Sequence, residues 1–326
     1  MKVCVVGSTM ADLVTRVPRL PVMGETLVGH SFTLGYGGKG GNQAVVAAKL
    51  GARVTLVSRV GCDRFGDGAL ANYREVDVDA RYVLQDPQHS TGVATILVDD
   101  AAQNCIAIVP GANGALSPAD VTAASDAIET ADVVIAQLEV PAAVALTAFG
   151  IARAAGVRTI FNPAPATAVP DELWRLTDVA VPNETEAELL TGIHVAGDVE
   201  AEAAARALLA RGAGAVILTL GRRGSLVVTP EGSERITPVM VDAVDSTGAG
   251  DAYVGTLAVC LSARLSLVDA ARRANLVAAV SVTRAGTQTS FPDYETAERF
   301  VASHDLTLLL GAAATHVEAS AHGVSP

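Results

Sequence analysis

Short apolar runs alternating with helical patterns constrain this chain more than any other feature. Residues 3–7, 54–60, 133–138, 159–161, 179–181 and 216–220 read as buried strands. Residues 40–50, 120–129, 142–155, 184–190 and 200–210 carry helical patterns between or after them. Such alternation predicts an α/β fold, a mostly parallel doubly wound sheet flanked by helices. The 326 residues, 50% of them hydrophobic, suit one large domain of this kind with an appendage. Ligands of such sheets bind beyond the carboxyl ends of the strands. Several polar residues fall there: Asp12 after the first run, Glu139 after 133–138, Asn183 after 179–181 and Gly221 after 216–220. Their convergence points to one shared site.

Two segments break the alternation. Residues 13–35 contain Pro18, Pro21 and Gly24 and then alternate at 30–34. Residues 91–99 and 104–109 form a hairpin pattern around Asp99-Asp100-Ala101-Ala102-Gln103. Neither fits a crossover helix, so both are expected to form a small β-sheet beside the core, a lid over the ligand. The core then comprises residues 1–12, 36–90 and 110–305, and the lid 13–35 and 91–109. Such a sheet has edges and an apolar face to cover, which predicts dimerisation through it. Residues 306–326 lack periodicity and are expected to form a disordered tail. The sequence shows no internal repeat.

Charge narrows the partners. The net charge is -12 with no basic cluster, which argues against nucleic acid. Cys4, Cys62, Cys105 and Cys260 lie far apart without Cys-x-x-Cys spacing, as reduced thiols of a cytoplasmic protein would. The six histidines show no ligand spacing. The apolar stretch 3–6 is too short for a signal peptide or a membrane span.

The segment Asp245-Ser246-Thr247-Gly248-Ala249-Gly250-Asp251 precedes an apolar helical run at 252–261. Two glycines in three residues let backbone N–H groups crowd one point at a helix N-terminus, which suits phosphate. A carboxylate beside such an anion is out of place for mere binding, but it suits a base that takes a proton from an attacking hydroxyl. The motif suggests phosphoryl transfer to an alcohol, with Asp251 as base and Gly248, Ala249 and Gly250 as anion hole. An ordinary loop-to-helix turn with a first-turn Asp would read the same way.

Gly35-Tyr36-Gly37-Gly38-Lys39-Gly40 matches the spacing of a dinucleotide-binding turn, but it follows a Pro/Gly-rich segment rather than the first strand of a βαβ unit. It also lacks the Ser or Thr of a nucleotide P-loop after Lys39. What remains is a glycine turn opening a helix, with Lys39, Asn42 and Gln43 in the first turn. These could grip sugar hydroxyls or simply cap the helix. Asp12 and Glu139 can each accept two hydroxyl hydrogen bonds, or stand as surface charges. Asn183-Glu184-Thr185-Glu186 reads as a capping box, or as groups ordering water around a nucleotide-bound magnesium ion. Gly221 and Gly224 in Thr219-Leu220-Gly221-Arg222-Arg223-Gly224 allow a nucleotide's close approach, or a hairpin turn into residues 225–228.

Taken in order, these pieces resemble the ribokinase (PfkB) family of sugar kinases from about residue 2 to residue 303. The specific signatures are Gly37-Gly38-Lys39-Gly40-Gly41-Asn42-Gln43 and the segment 245–251. Gly24-Glu25-Thr26, Gln137-Leu138-Glu139, Asn162-Pro163-Ala164-Pro165-Ala166, Pro182-Asn183-Glu184-Thr185-Glu186 and Gly286-Thr287-Gln288-Thr289-Ser290 resemble its pentose-kinase branch.

The resemblance implies a ribokinase-like fold with a β-lid and a homodimer through that lid. It implies that Asp12, Gly38, Lys39, Asn42 and Glu139 hold a pentose beside Met10, and that Asp251 takes the proton of its primary hydroxyl. It implies ATP as phosphoryl donor, bordered by Thr219, Gly221, Gly224, Gly250 and Asn275, with Asn183 and Glu186 organising the Mg2+ shell. A K+ ion is implied beside the anion hole, held by Asp245, by Ser290, and by backbone oxygens of Thr247, Ser281, Arg284 and Gly286. The activity implied is transfer of the γ-phosphoryl of ATP to O5 of D-ribose. Alternatives are the same reaction on 2-deoxy-D-ribose, a nucleoside kinase, and a non-catalytic sugar-binding regulator.

Three departures stand out. Ser246 replaces a common Thr, and Gly41 replaces a common Ala. In Gly7-Ser8-Thr9-Met10-Ala11-Asp12, Met10 stands where many bacterial members carry Asn. Members acting on ribose and members acting on 2-deoxyribose both resemble this chain in having Met there.

Overall fold

The structure, a computed structural model, describes residues 1–101 and 103–306. The first half contains β1 (Lys2–Val6), β2 (Met10–Arg16), β3 (Ser31–Gly37), α1 (Lys39–Lys49), β4 (Arg53–Gly61), α2 (Arg64–Glu75), β5 (Val78–Asp86), β6 (Gly92–Val98), β7 (Asn104–Val109), α3 (Pro118–Ala123), α4 (Ser125–Glu129), β8 (Val133–Ala136) and α5 (Ala142–Ala154). The second half adds β9 (Arg158–Phe161), α6 (Asp171–Arg175), β10 (Val179–Ala180), α7 (Glu184–Thr191), α8 (Asp198–Ala210), β11 (Ala215–Thr219), β12 (Ser225–Thr229), β13 (Gly232–Ile236), α9 (Ala249–Ser262), α10 (Leu267–Ser281) and α11 (Tyr294–Ala302).

The large sheet has the order β13-β12-β11-β10-β9-β8-β1-β4-β5. From β11 to β5 every neighbouring pair is parallel, and β12 and β13 close the far edge as an antiparallel hairpin. Successive β1 residues point to opposite faces, as the pleat requires. Val3 and Val5 join a core under α1, α9 and α10, whereas Cys4 and Val6 join a second core under α5 and α8. Apolar strands without strict alternation therefore have a use on both sides. The chain runs from β1 to β4 and β5 on one side, then to β8 and onward on the other. The crevice between the carboxyl ends of β1 and β8 is the switch point where such sheets take ligands.

Helix α9 is buried at every residue from Asp251 to Ser262. A helix apolar all round belongs inside the protein, and α9 lies between the sheet, α1 and α10. The helix approaches α1 tightly at Gly255, where an added Cβ would stand 2.1 Å from Val46 Cγ1 and 2.8 Å from the Gln43 carbonyl oxygen. Asp251, one turn earlier, is thereby aimed at the start of α1.

The second sheet has the order β3-β2-β6-β7. It begins at Met10 and its second strand runs to Gly37, so Met10 to Asp12 and Tyr36-Gly37 belong to it rather than stopping at the expected boundaries of 13 and 35. The expected helix over 120–129 is divided into α3 and α4, because Ala124 leaves helical geometry at φ -101° and ψ 16°. The expected tail, residues 306–326, lies outside the described residues apart from Leu306. No helix among the described residues is long and apolar enough to cross a membrane.

Candidate active site

The glycine turn lies flush against the loop joining β1 to β2. A Cβ on Gly40 would approach Gly7 C and Ser8 N to 2.6 Å, so no larger residue fits without moving backbone. Contact at this distance lets Lys39 N–H donate to Glu139 Oε2 at 2.8 Å, while Ser8 Oγ donates to the same oxygen at 2.5 Å. Gly38 N-caps α1, with its carbonyl accepting from Asn42 N–H at 2.8 Å. Asp12, on β2, packs against Gly37, whose added Cβ would overlap its carboxylate. Met10 is 3% exposed and lies two residues earlier on the same face of β2. Buried Asn113 secures this loop: its Oδ1 accepts from Thr9 N–H and its Nδ2 donates to the Thr9 carbonyl, both at 2.8 Å.

Asp251 occupies the first turn of α9 and is 6% exposed. Its two carboxylate oxygens accept from different α1 amides, Oδ2 from Asn42 Nδ2 at 2.8 Å and Oδ1 from Gln43 Nε2 at 2.9 Å. Gly248 caps the helix in the left-handed region at φ 79°, which turns the chain sharply into α9. The first N–H groups of a helix lack intrahelical acceptors. A Cβ built on Gly250 meets nothing within 4 Å, so the space in front of that turn is open.

Charges of opposite sign converge on the same place. Burial works against the Lys39 ammonium, yet the carboxylates of Asp251, Glu139 and Glu186 outweigh it and hold Lys39 above its usual value. Burial, followed by the charges of Glu139 and Asp251, pushes Asp12 up to about 6. Burial also raises Glu186, against the Asn183 N–H and Lys39, which lower it. These mutual influences show that groups from β2, α1, α7, α9 and the loop after β8 lie near one another.

At α7 the capping box is realised, with Glu186 N–H on Asn183 Oδ1 and Asn183 N–H on Glu186 Oε2, each at 2.8 Å. Asn183 also bridges to Thr219 at the end of β11. Gly221 (φ 51°) and Gly224 (φ 86°) flank the short turn between β11 and β12. Asn275, on α10, turns its amide to the Thr237 carbonyl at 3.0 Å.

The residues expected around a cation come from two segments. Asp245 joins them: its Oδ1 accepts from Thr247 N–H at 2.9 Å and its Oδ2 from Gly286 N–H at 3.0 Å. Burial works against that carboxylate, but the bonds from Thr247 and Gly286 hold it below its usual value. Ser281 and Ser290 are buried and bond to local carbonyls, whereas the Arg284 side chain is exposed. No group of three or more His, Cys, Asp or Glu suited to a metal occurs among the described residues.

Sequence reasoning left several participants without a role. Ser8 and Asn113 act through long-range bonds, and Gln137, Asn162 and Gln288 join Asn42 and Gln43, whose amides bond Asp251 rather than capping the helix, in a buried amide network. Their signal was the presence of polar amides inside otherwise apolar or glycine-rich motifs, which demands buried partners.

The model of the pfkB family carbohydrate kinases matches residues 1–294. The ribokinase of Mus musculus is 44% identical over 295 residues, covering 89% of this chain and 91% of that protein. The deoxyribokinase of Salmonella typhi is 39% identical over 296 residues, covering 90% and 97%. Among solved structures, Arabidopsis thaliana ribokinase complexed with ribose and ATP superposes with a TM-score of 0.85 at 29% identity, covering 92% of this chain and 98% of that one. With the match spanning both sheets and both glycine turns, the chain belongs to the pfkB family of carbohydrate kinases, phosphotransferases that use an alcohol group as acceptor.

Proposed function

We propose that the protein transfers the γ-phosphoryl group of ATP to the 5-hydroxyl of D-ribose, giving ribose 5-phosphate and ADP. The observation that carries this reading is the buried carboxylate of Asp251 in the open first turn of α9, beside Lys39, Glu139 and Asp12. Asp12, Glu139 and Asn42 supply acceptors and donors for ring hydroxyls, with Gly38 and Lys39 closing the pocket. Each Asp251 oxygen keeps a lone pair beyond the one its amide uses, so the carboxylate can take the O5 proton. O5 then bonds to the γ-phosphorus, the bond to the β,γ-bridging oxygen breaks, and ADP leaves. The N–H groups of Gly248, Ala249 and Gly250 meet the charge on the transferring group.

Thr219, Gly221, Gly224 and Asn275 border the nucleotide in this reading. Glu186 shares one oxygen with the capping box and keeps the other, which suits a Mg2+ ion held chiefly by phosphates and water. Asp245 and Ser290, with carbonyls of Thr247, Ser281, Arg284 and Gly286, make an all-oxygen set of one carboxylate and neutral donors. That set fits K+, and such an ion would stiffen the turn that carries the anion hole. The four cysteines are free thiols, in keeping with the cytoplasm.

A second substrate, 2-deoxy-D-ribose, is favoured by one observation: buried Met10 offers a thioether rather than a hydrogen bond to the sugar face of β2. The test is an ADP-release assay over pentoses, hexoses and nucleosides. Ribose turnover with little on hexoses or nucleosides is expected. Turnover on nucleosides alone, or on nothing, would replace this reading with a nucleoside kinase or a sugar-binding regulator.

A further inference from the structure

Two chains of side-chain amides end on Asp251. In the first, Asn72 Nδ2 donates to Gln288 Oε1 at 2.8 Å, Gln288 Nε2 to Asn42 Oδ1 at 3.1 Å, and Asn42 Nδ2 to Asp251 Oδ2 at 2.8 Å. In the second, Gln137 Nε2 donates to Gln43 Oε1 at 2.6 Å, and Gln43 Nε2 to Asp251 Oδ1 at 2.9 Å. Gln43 Nε2 also reaches Asn162 Oδ1 at 3.1 Å, and Asn162 Nδ2 donates to the Val181 carbonyl at 2.8 Å. Asn42, Gln43, Gln137, Asn162 and Gln288 are all buried.

A carboxylate accepts and never donates, whereas an amide has one end of each kind. Asp251 therefore dictates which way every amide in both chains must face. Asn42 must turn its NH2 group to Asp251, so its oxygen must accept, so Gln288 must present NH2, and so must Asn72. The second chain carries the mark of this compulsion. Its terminal Gln137 Oε1 is buried without a partner, because turning the amide would set two carbonyl oxygens against each other. Backbone anchoring adds to the first chain. Lys49 Nζ, from the far end of α1, donates to the Gln288 carbonyl at 2.8 Å and to the Phe291 carbonyl at 3.0 Å. One helix thus holds Gln288 by its main chain and its side chain.

We propose that Gln43, Gln137 and Gln288 are positioning residues for Asp251, acting through the donor-to-acceptor direction of these two chains. The carboxylate is held as an acceptor in one orientation toward the sugar hydroxyl, and Gln288 ties that orientation to the 286–290 segment beside the anion hole. The inference rests on Asp251 being the base.

The decisive comparison is Gln288→Glu against Gln288→Met, with Gln137→Glu and Gln137→Met as an independent pair. Glu keeps the shape but sets an acceptor against an acceptor, which reverses the chain. Met removes the amide without reversing it. Loss of a well-placed hydrogen bond to a charged group corresponds to about 10–100-fold in rate. The Glu variants should lose kcat by that factor and fall well below their Met counterparts, with KM for ATP unchanged. Thermal melts confirm that each compared variant is folded. Equal kcat in Glu and Met variants of both pairs, or losses seen only in KM, would overturn the proposal while Asp251→Asn stays inactive. Near-normal turnover of Asp251→Asn would instead remove the base assignment, and the proposal with it.

Discussion

At the scale of single residues, the face of β2 proposed to meet the sugar makes predictions about selectivity and pH response. A site built to bond a hydroxyl rejects the analogue lacking it by roughly 10⁴–10⁵, whereas an apolar wall discriminates by about 10² or less. In the proposed reading buried Met10 is such a wall, so both ribose and 2-deoxyribose should be phosphorylated. Met10→Asn should raise the ratio of kcat/KM for ribose over deoxyribose, measured by ADP release. Exclusion of deoxyribose by several orders of magnitude in the wild type would show that another residue reads the 2-hydroxyl.

Asp12 gives the pH response. Its folded value near 6 lies above the ordinary 3.8, because of burial and the charges of Glu139 and Asp251. A carboxyl raised in this way stabilises the fold below its unfolded value, and that contribution is lost as pH rises through about 6. Asp12→Asn should therefore melt with the wild type near pH 4 and above it at pH 8. The gain is expected at about 1–2 kcal/mol, below the full linkage figure because the side chain is half-buried. In the proposed reading the cost is sugar affinity, since the charged form is the one that would accept two hydroxyls. For the same reason wild-type kcat/KM for the sugar should fall as pH drops below about 6. Identical melting of the two proteins across this range would count against the assignment.

At the scale of elements, the packing of α1 against α2 accounts for one departure from the family pattern. A Cβ on Gly41 would stand 2.5 Å from the Tyr73 hydroxyl. That hydroxyl is buried and shares a hydrogen bond of 2.8 Å with Thr9 Oγ1, which is 2.9 Å from Ser58 Oγ. Gly41 thus leaves room for a tyrosine that steadies the residue before Met10. Overpacking typically costs about 1–3 kcal/mol. Gly41→Ala should lower the melting temperature accordingly, and Tyr73→Phe should restore part of the loss in the double variant. Additive losses would mean that the two positions do not compete for space. The turn before α9 and the 286–290 segment meet at Asp245, so an ion there should act on rate. Turnover in K+ should exceed that in Na+ or in a large organic cation; equal rates in all three would eliminate the cation site.

At the scale of the whole molecule, the small sheet leaves apolar side chains exposed on both faces. Phe32, Leu34 and Val109 share one face by register, Ile106 and Ile108 the other, and all five are exposed in the single chain. Exposed apolar faces mark interaction sites, and a second copy of this chain is the proposed cover. Sedimentation should show a dimer, and Phe32→Asp with Leu34→Asp should give a folded monomer. A wild-type monomer at micromolar concentration would rule the interface out.

The parts of this architecture that were legible in sequence are local ones. Continuous apolar runs at 3–7, 54–60 and 133–138 announced strands buried on both faces, since periodicity reports how many sides of an element meet solvent. The glycine turns before α1 and α9 announced sharp entries into helices, because Gly38 and Gly248 both adopt φ 79° and Gly40 lies flush against the β1–β2 loop. Less was readable in residues 64–75 and 78–86, which became α2 and β5 at an edge, where partial exposure blurs the pattern.

By itself, then, the sequence determined the α/β class, the second sheet and the positions of the candidate base and anion hole. Only the tertiary structure decided which groups meet. Asn42 and Gln43 reach Asp251 across 209 and 208 positions of chain, and Gln288 reaches Asn42 across 246. Those meetings follow from the sheet order and from the close crossing of α9 and α1 at Gly255. A residue's spacing along the chain encodes which face it turns to the core; it does not encode the distant donor that must satisfy a buried carboxylate.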